Sequence, residues 1–83
     1  MTLEEYRQET ATAIRKVLSN EAQEEFEKLI ELLQKDIERS FHSAETSKKD
    51  FGVYDPSPSG YAYGIYMMWE GTAQETVDYY DLG

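Results

Sequence analysis

Two runs of apolar residues at helical spacing, joined by a connection of only two residues, Ser19-Asn20, constrain this chain more than any other feature. In the first run Leu3, Tyr6, Thr10, Ala13, Ile14, Val17 and Leu18 fall on one side of a helical wheel, with Glu5, Gln8, Glu9, Thr12 and Lys16 opposite. Thr2 and Glu5 stand three residues apart at its start, the spacing of a capping box in which each side chain satisfies a free backbone N–H of the other. This predicts a helix over 2–18. In the second run Ala22, Phe26, Leu29, Ile30, Leu33, Ile37, Phe41 and Ala44 share one apolar arc, with Asn20 as N-cap and Gln23 three residues on. A single helix to residue 46 is expected. The connection Ser19-Asn20 is so short that the two helices must lie antiparallel, as an αα-hairpin over 2–46.

The composition changes after residue 46. Ser47 to Asp50 are polar, and Asp55-Pro56-Ser57-Pro58-Ser59-Gly60 reads as a loop, because each proline disfavours the helical region for its predecessor. Residues 47–60 are therefore expected to be a linker. The run Tyr61-Ala62-Tyr63-Gly64-Ile65-Tyr66-Met67-Met68-Trp69-Glu70 is rich in strand formers, with Tyr61, Tyr63, Ile65, Met67 and Trp69 on a core-facing side. Gly71-Thr72 then reads as a turn and Glu75 to Asp81 as a return strand, giving a β-hairpin over 61–82, with Phe51 to Tyr54 as a possible third strand. Thr72 and Glu75 also fit a second capping box, which would start a helix instead. Thr76, Val77, Tyr79 and Tyr80 favour the strand. The expected fold class is α+β: an N-terminal αα-hairpin packed on a small antiparallel β-hairpin or three-stranded sheet. With 83 residues, 1–83 form a single domain.

Charge is distributed unevenly along the chain. The net charge is -9, and the last 34 residues carry six acids and no Lys or Arg. They also hold six of the seven tyrosines and the one tryptophan, so acidity and aromaticity coincide. A protein of this charge is repelled by nucleic acid and by anionic membranes, and is attracted to basic protein surfaces. Tyrosine and tryptophan offer large contact areas at low rotamer cost, and carboxylates accept paired hydrogen bonds from Arg. Asp55, Glu75, Asp78, Tyr79, Tyr80 and Asp81 are accordingly candidate partner-binding residues. As a strand, 75–81 would put Asp78 and Tyr80 on one face and Tyr79 and Asp81 on the other. On the second helix Glu24, Glu27, Glu31 and Glu38 form a row opposite the apolar arc, flanked by Lys28, Lys35 and Arg39, and Glu24, Glu27 and Glu31 are further candidate partner-binding residues. Such a row either imitates nucleic-acid phosphates or is an ordinary solvated face laced with weak i,i+4 pairs.

Little in the chain supports catalysis. There is no cysteine and one histidine, so thiol chemistry is excluded and a nucleophilic triad has no supporting motif. No phosphate-cradling glycine loop is present, and 83 residues leave little room for a substrate cleft. The chain is not expected to be an enzyme and no cofactor is implied. Glu38, His42 and Glu45, at i, i+4 and i+7, form a metal half-site on one helix face, although a solvated histidine in the last turn explains His42 as well. Met1 to Glu5 have neither a basic nor an apolar leader region and no apolar run would span a bilayer, so a cytoplasmic protein without membrane contact is expected.

Short length, absence of cysteine, high acidity, and the clusters Glu21/Glu24/Glu25/Glu27/Glu31 and Asp78-Tyr79-Tyr80-Asp81 together give a recognisable character. In that character the chain resembles the small acidic phage-encoded inhibitors of host defence, including anti-CRISPR proteins and DNA mimics. The resemblance implies a basic partner such as a CRISPR effector nuclease, bound in the host cytoplasm and blocked at its nucleic-acid site. Lys48-Lys49 depart from a pure phosphate mimic. The alternative is a structural module that assembles with itself, for example as a homodimer.

Overall fold

A computed structural model describes residues 1–20, 24–46 and 56–83. Its elements are α1 (Leu3–Val17), α2 (Phe26–Leu32), α3 (Gln34–Thr46), α4 (Pro58–Met67) and α5 (Ala73–Tyr80). Among the described residues there is no strand, so the α+β expectation is overturned: the fold is all-helical. The region expected to be linker from 47 onward lies outside the described residues up to 55, as do Phe51 to Tyr54.

The N-terminal half follows the sequence closely. Thr2 and Glu5 form the capping box, with Thr2 N donating to Glu5 Oε1 at 2.7 Å and Glu5 N to Thr2 Oγ1 at 3.1 Å. Tyr6, Thr10, Ile14 and Leu18 are buried, with Leu3, Ala13 and Val17 packed against the core edge. Arg7 pairs with Glu38 and Arg15 with Glu27, so α1 runs antiparallel to α2–α3, the expected arrangement.

The second helix differs in two respects. It begins at Phe26 behind Glu25, not behind Asn20. It is also jointed at Leu33, whose φ of -90° and ψ of 4° leave the helical region. The Gln34 side-chain amide donates to the Ile30 carbonyl at 3.0 Å, so a side chain enters the ladder where the backbone departs from it. Leu33 N still donates to Leu29 O at 2.9 Å and Leu33 O accepts from Ile37 N at 2.8 Å, so backbone hydrogen bonds run through the joint. Leu29, Ile30, Leu33, Ile37 and Phe41 line one buried side across the joint.

The expected β-hairpin is replaced by α4 and α5. The Pro-Ser stretch, expected to be loop, starts α4 instead: Ser57 accepts from Gly60 N at 3.1 Å, and Pro58 sits in the first turn, where its missing N–H costs nothing. Burial then settles the period. Tyr61, Ala62 and Ile65 are buried, while Tyr63 and Met67 are 59% and 65% exposed. A strand would have placed all four odd residues 61, 63, 65 and 67 on one side; a spacing of three and four separates them. In the 75–81 segment the capping residue prevails over strand propensity. Thr72 Oγ1 accepts from Glu75 N at 3.1 Å and donates to Glu75 Oε1 at 2.9 Å. A second cap arrives from a residue distant in sequence, just ahead of α2, since Ala73 N donates to Glu25 Oε1 at 2.9 Å. Gly71, with φ of +100°, makes the turn that brings Thr72 into position.

The layers are simple. Helix α1 packs chiefly on α4 and also on α3 and α2; α5 packs on α2. Tyr6 joins three segments: its hydroxyl shares a 2.8 Å hydrogen bond with Ser40 of α3 and donates to the Pro56 carbonyl ahead of α4. The Tyr61 hydroxyl of α4 donates to Asp36 of α3. Among the described residues no helix is long and apolar enough to cross a membrane.

Two stability outcomes follow. Thr72→Ala removes a cap and should cost about 1 kcal/mol in urea unfolding, with loss of helical circular dichroism at its lower midpoint. Were 72–82 a strand pair, the substitution would be near neutral. Thr10 is fully buried and its hydroxyl has no hydrogen-bond partner among the described residues. Thr10→Val should therefore stabilise the fold by about 1 kcal/mol; a loss of that size would contradict the unpaired hydroxyl.

Candidate functional site

The helical form of α5 gathers the predicted acidic and aromatic residues more tightly than a strand would have. Residues three and four apart are neighbours on a helix, so Glu75 adjoins Asp78 and Tyr79, and Asp78 adjoins Asp81. All four are exposed, Tyr79 at 73%. The Tyr79 and Tyr80 rings meet edge-on with centroids 4.8 Å apart. The Tyr80 hydroxyl donates to Glu70 Oε1 at 3.2 Å, linking α5 back to the segment that follows α4. Desolvation and this carboxylate partner push the Tyr80 phenol above its usual value, so it stays a neutral donor. Asp78 accepts from Gln74 at 2.8 Å and keeps further acceptor capacity. Asp81 closes the helix with φ of 54°, a left-handed conformation that aspartate tolerates better than most residues. The strand-based division of these residues into two faces is thus corrected.

Electrostatics make this end of α5 costly to the fold. Asp78 and Asp81 stand at a helix C-terminus, where the macrodipole is negative, and the last turn carries no basic residue. Arg39 of α3 offers partial relief, donating to the Leu82 carbonyl at 3.4 Å while pairing with Asp36 at 3.2 Å. Between Pro56 and Gly83 there are four acids, Glu70, Glu75, Asp78 and Asp81, and no Lys or Arg.

The row on the second helix is a different matter. Glu24 and Glu31 are exposed, but Glu27 is held in a bidentate pair by Arg15, with Nη2 to Oε1 at 2.8 Å. The guanidinium holds Glu27 below the usual carboxylate range, and the charge of the row is partly neutralised from α1. Glu24, Glu27 and Glu31 therefore do not form an unbroken phosphate-like series. Asp55 lies outside the described residues. Of the metal half-site, Glu38 accepts from Arg7 at 2.8 Å and His42 is exposed beside the Phe41 ring; no group of three potential ligands gathers among the described residues. The side chain of Glu45 lies outside the described set.

Sequence reasoning missed one surface feature. Tyr63, Tyr66 and Met67 form an outward stripe on α4, with Tyr63 and Tyr66 ring centroids 6.2 Å apart. The signal was present: no charged residue occurs from Pro56 to Trp69, so any helix there must show an uncharged face to water.

Comparison with known protein families, curated proteins and solved structures returned no match.

The Arg15–Glu27 pair has a pH signature. A carboxylate depressed in the folded state adds stability above its unfolded pKa, and this is lost as pH falls through the lower folded value. In a carboxyl NMR titration Glu27 should titrate below the ordinary glutamate range, and Arg15→Gln should return it there. A Glu27 titration unmoved by that change would refute the pairing.

Proposed function

We propose that the chain is a non-enzymatic binding protein that docks its α4–α5 side on a basic surface of a nucleic-acid-binding protein and blocks that surface. One observation carries the reading: residues 56–83 expose Glu70, Glu75, Asp78 and Asp81 beside exposed tyrosines, with no cation among them. Carboxylates so placed accept paired hydrogen bonds from Arg, and tyrosine rings supply contact area that needs little ordering. The dipole-opposed Asp78 and Asp81 support the reading further, since local stability is given up where a site requires it. The resemblance in character to anti-CRISPR proteins and DNA mimics makes a CRISPR effector nuclease the first partner to try. The neutralised Glu27 argues that contact runs through α5 in preference to the row on α2.

The test is retention of a basic nucleic-acid enzyme from a bacterial lysate on the tagged chain, washed at rising salt. Retention at low salt and release at high salt are expected, as for other phosphate-like ligands. The Asp78→Asn/Asp81→Asn variant removes both charges while keeping a residue that tolerates the left-handed position. It should bind at least ~10-fold more weakly, about 1.4 kcal/mol, and unfold at slightly higher urea. Undiminished binding would remove α5 from the interface.

A second reading, self-assembly, is favoured by the uncovered stripe Tyr63-Tyr66-Met67. It requires a concentration-dependent dimer by sedimentation at micromolar protein.

A further inference from the structure

Helix α4 is apolar on both sides, and only one side is used by the core. Its inner face, Tyr61, Ala62 and Ile65, is buried; α4 packs chiefly on α1, and the Tyr61 hydroxyl donates to Asp36 of α3. Its outer face repeats at helical spacing as Ser59, Tyr63, Tyr66 and Met67, all exposed. Surface helices ordinarily set charged residues opposite the core, and this one has none. Two tyrosine rings and a thioether therefore stand in water, where a large apolar stripe marks a contact surface.

Charge decides between occupants. Glu70, exposed, follows the stripe directly, and its carboxylate receives the hydroxyl of Tyr80 from α5. At the other end, a shallow groove of about 430 Å³ beside Pro58 and Ser59 is lined from α1 by Glu9 and Lys16, whose charges offset each other. A second copy would bring a net charge of -9 against a net charge of -9 and set one cation-free region against another. A partner carrying arginines meets no such opposition. The guanidinium plane stacks on tyrosine faces and is weakly hydrated, whereas the lysine ammonium is compact and strongly hydrated.

We infer that the outer face of α4, through Tyr63, Tyr66 and Met67, is an arginine-selective docking strip for a basic partner protein. The inference rests on the proposed function for the partner's charge and adds a residue-level preference to it. Within that assignment Tyr63 and Tyr66 are the selective elements and Met67 is an adaptable filler beside them. The carboxylates of α5 supply attraction without distinguishing the two cations as strongly.

The test uses nona-arginine and nona-lysine peptides as probes, titrated into the full chain at low salt and followed by fluorescence anisotropy. The wild type should favour the arginine peptide by about ten-fold, the equivalent of ~1.4 kcal/mol. Tyr63→Phe/Tyr66→Phe should keep that preference because the rings remain, and Tyr63→Ala/Tyr66→Ala should abolish it. Both rings are exposed and alanine favours helix, so the alanine variant should keep its circular dichroism. Asp78→Asn/Asp81→Asn should weaken both peptides and leave the preference in place. Equal affinity for the two peptides, or a preference that survives in the alanine variant, would overturn the strip while leaving the acidic α5 reading standing. Binding of neither peptide would overturn both. A wild-type dimer dispersed by Tyr63→Ala/Tyr66→Ala would overturn the inference in favour of a second copy as the occupant.

Discussion

A ten-residue helix without a single charge has two apolar sides, and this chain has one core in which to bury them. That constraint on α4 shapes the rest of the molecule. Tyr61, Ala62 and Ile65 are buried where α4 packs on α1, and Tyr63 and Met67 are left outside as a consequence of the 3.6-residue turn. The aromatic surface is thus produced by the same helix that completes the core. It is not an appendage to a finished domain, and substitutions on the two faces should have separable effects.

The described helices are held together by a few polar contacts laid over apolar packing. Tyr6 ties α1 to α3 and to the start of α4, and Tyr61 ties α4 to α3. The Glu25 carboxylate reaches the first N–H of α5, so the residue that precedes α2 also starts the last helix. A carboxylate is well placed there, at the positive end of a helix dipole. At the other end of α5 the same physics is opposed, because Asp78 and Asp81 meet the negative end, where among the described residues Arg39 of α3 alone donates a side-chain hydrogen bond to the terminal backbone. One helix therefore carries an optimised terminus toward the core and an unfavourable one toward solvent, and the second is where the candidate site lies.

The first half of the fold was legible because its period was unambiguous. The seven positions of the first run and the eight of the second recur at three and four in the sequence, and the Thr2–Glu5 box marks the start. The joint at Leu33 was not legible, since it turns on the Gln34 side chain taking a backbone carbonyl. The second half misled for a definite reason. Between Tyr61 and Trp69 nearly every residue is apolar, so neither a period of two nor of 3.6 stands out, and aromatic propensity then speaks for a strand. Local cap chemistry was the better guide: Ser57 before Pro58, and Thr72 before Glu75, each fix a helix start by hydrogen bonds that do not depend on the faces that follow. Of the candidate site, the acidic and tyrosine content of 75–81 was visible, whereas its grouping on one helix side and the outward stripe of α4 required the correct period. The row Glu24, Glu27 and Glu31 appeared continuous in sequence because its neutraliser, Arg15, lies on another helix.

Amide hydrogen–deuterium exchange on the chain, alone and bound to the basic partner retained at low salt, would test the central claim most directly. A contact through the acidic and aromatic side predicts slowed exchange in peptides covering 58–82, with 24–32 unchanged. Protection confined to 24–32, with 58–82 exchanging as in the free chain, would contradict it and return the contact to the glutamates of α2.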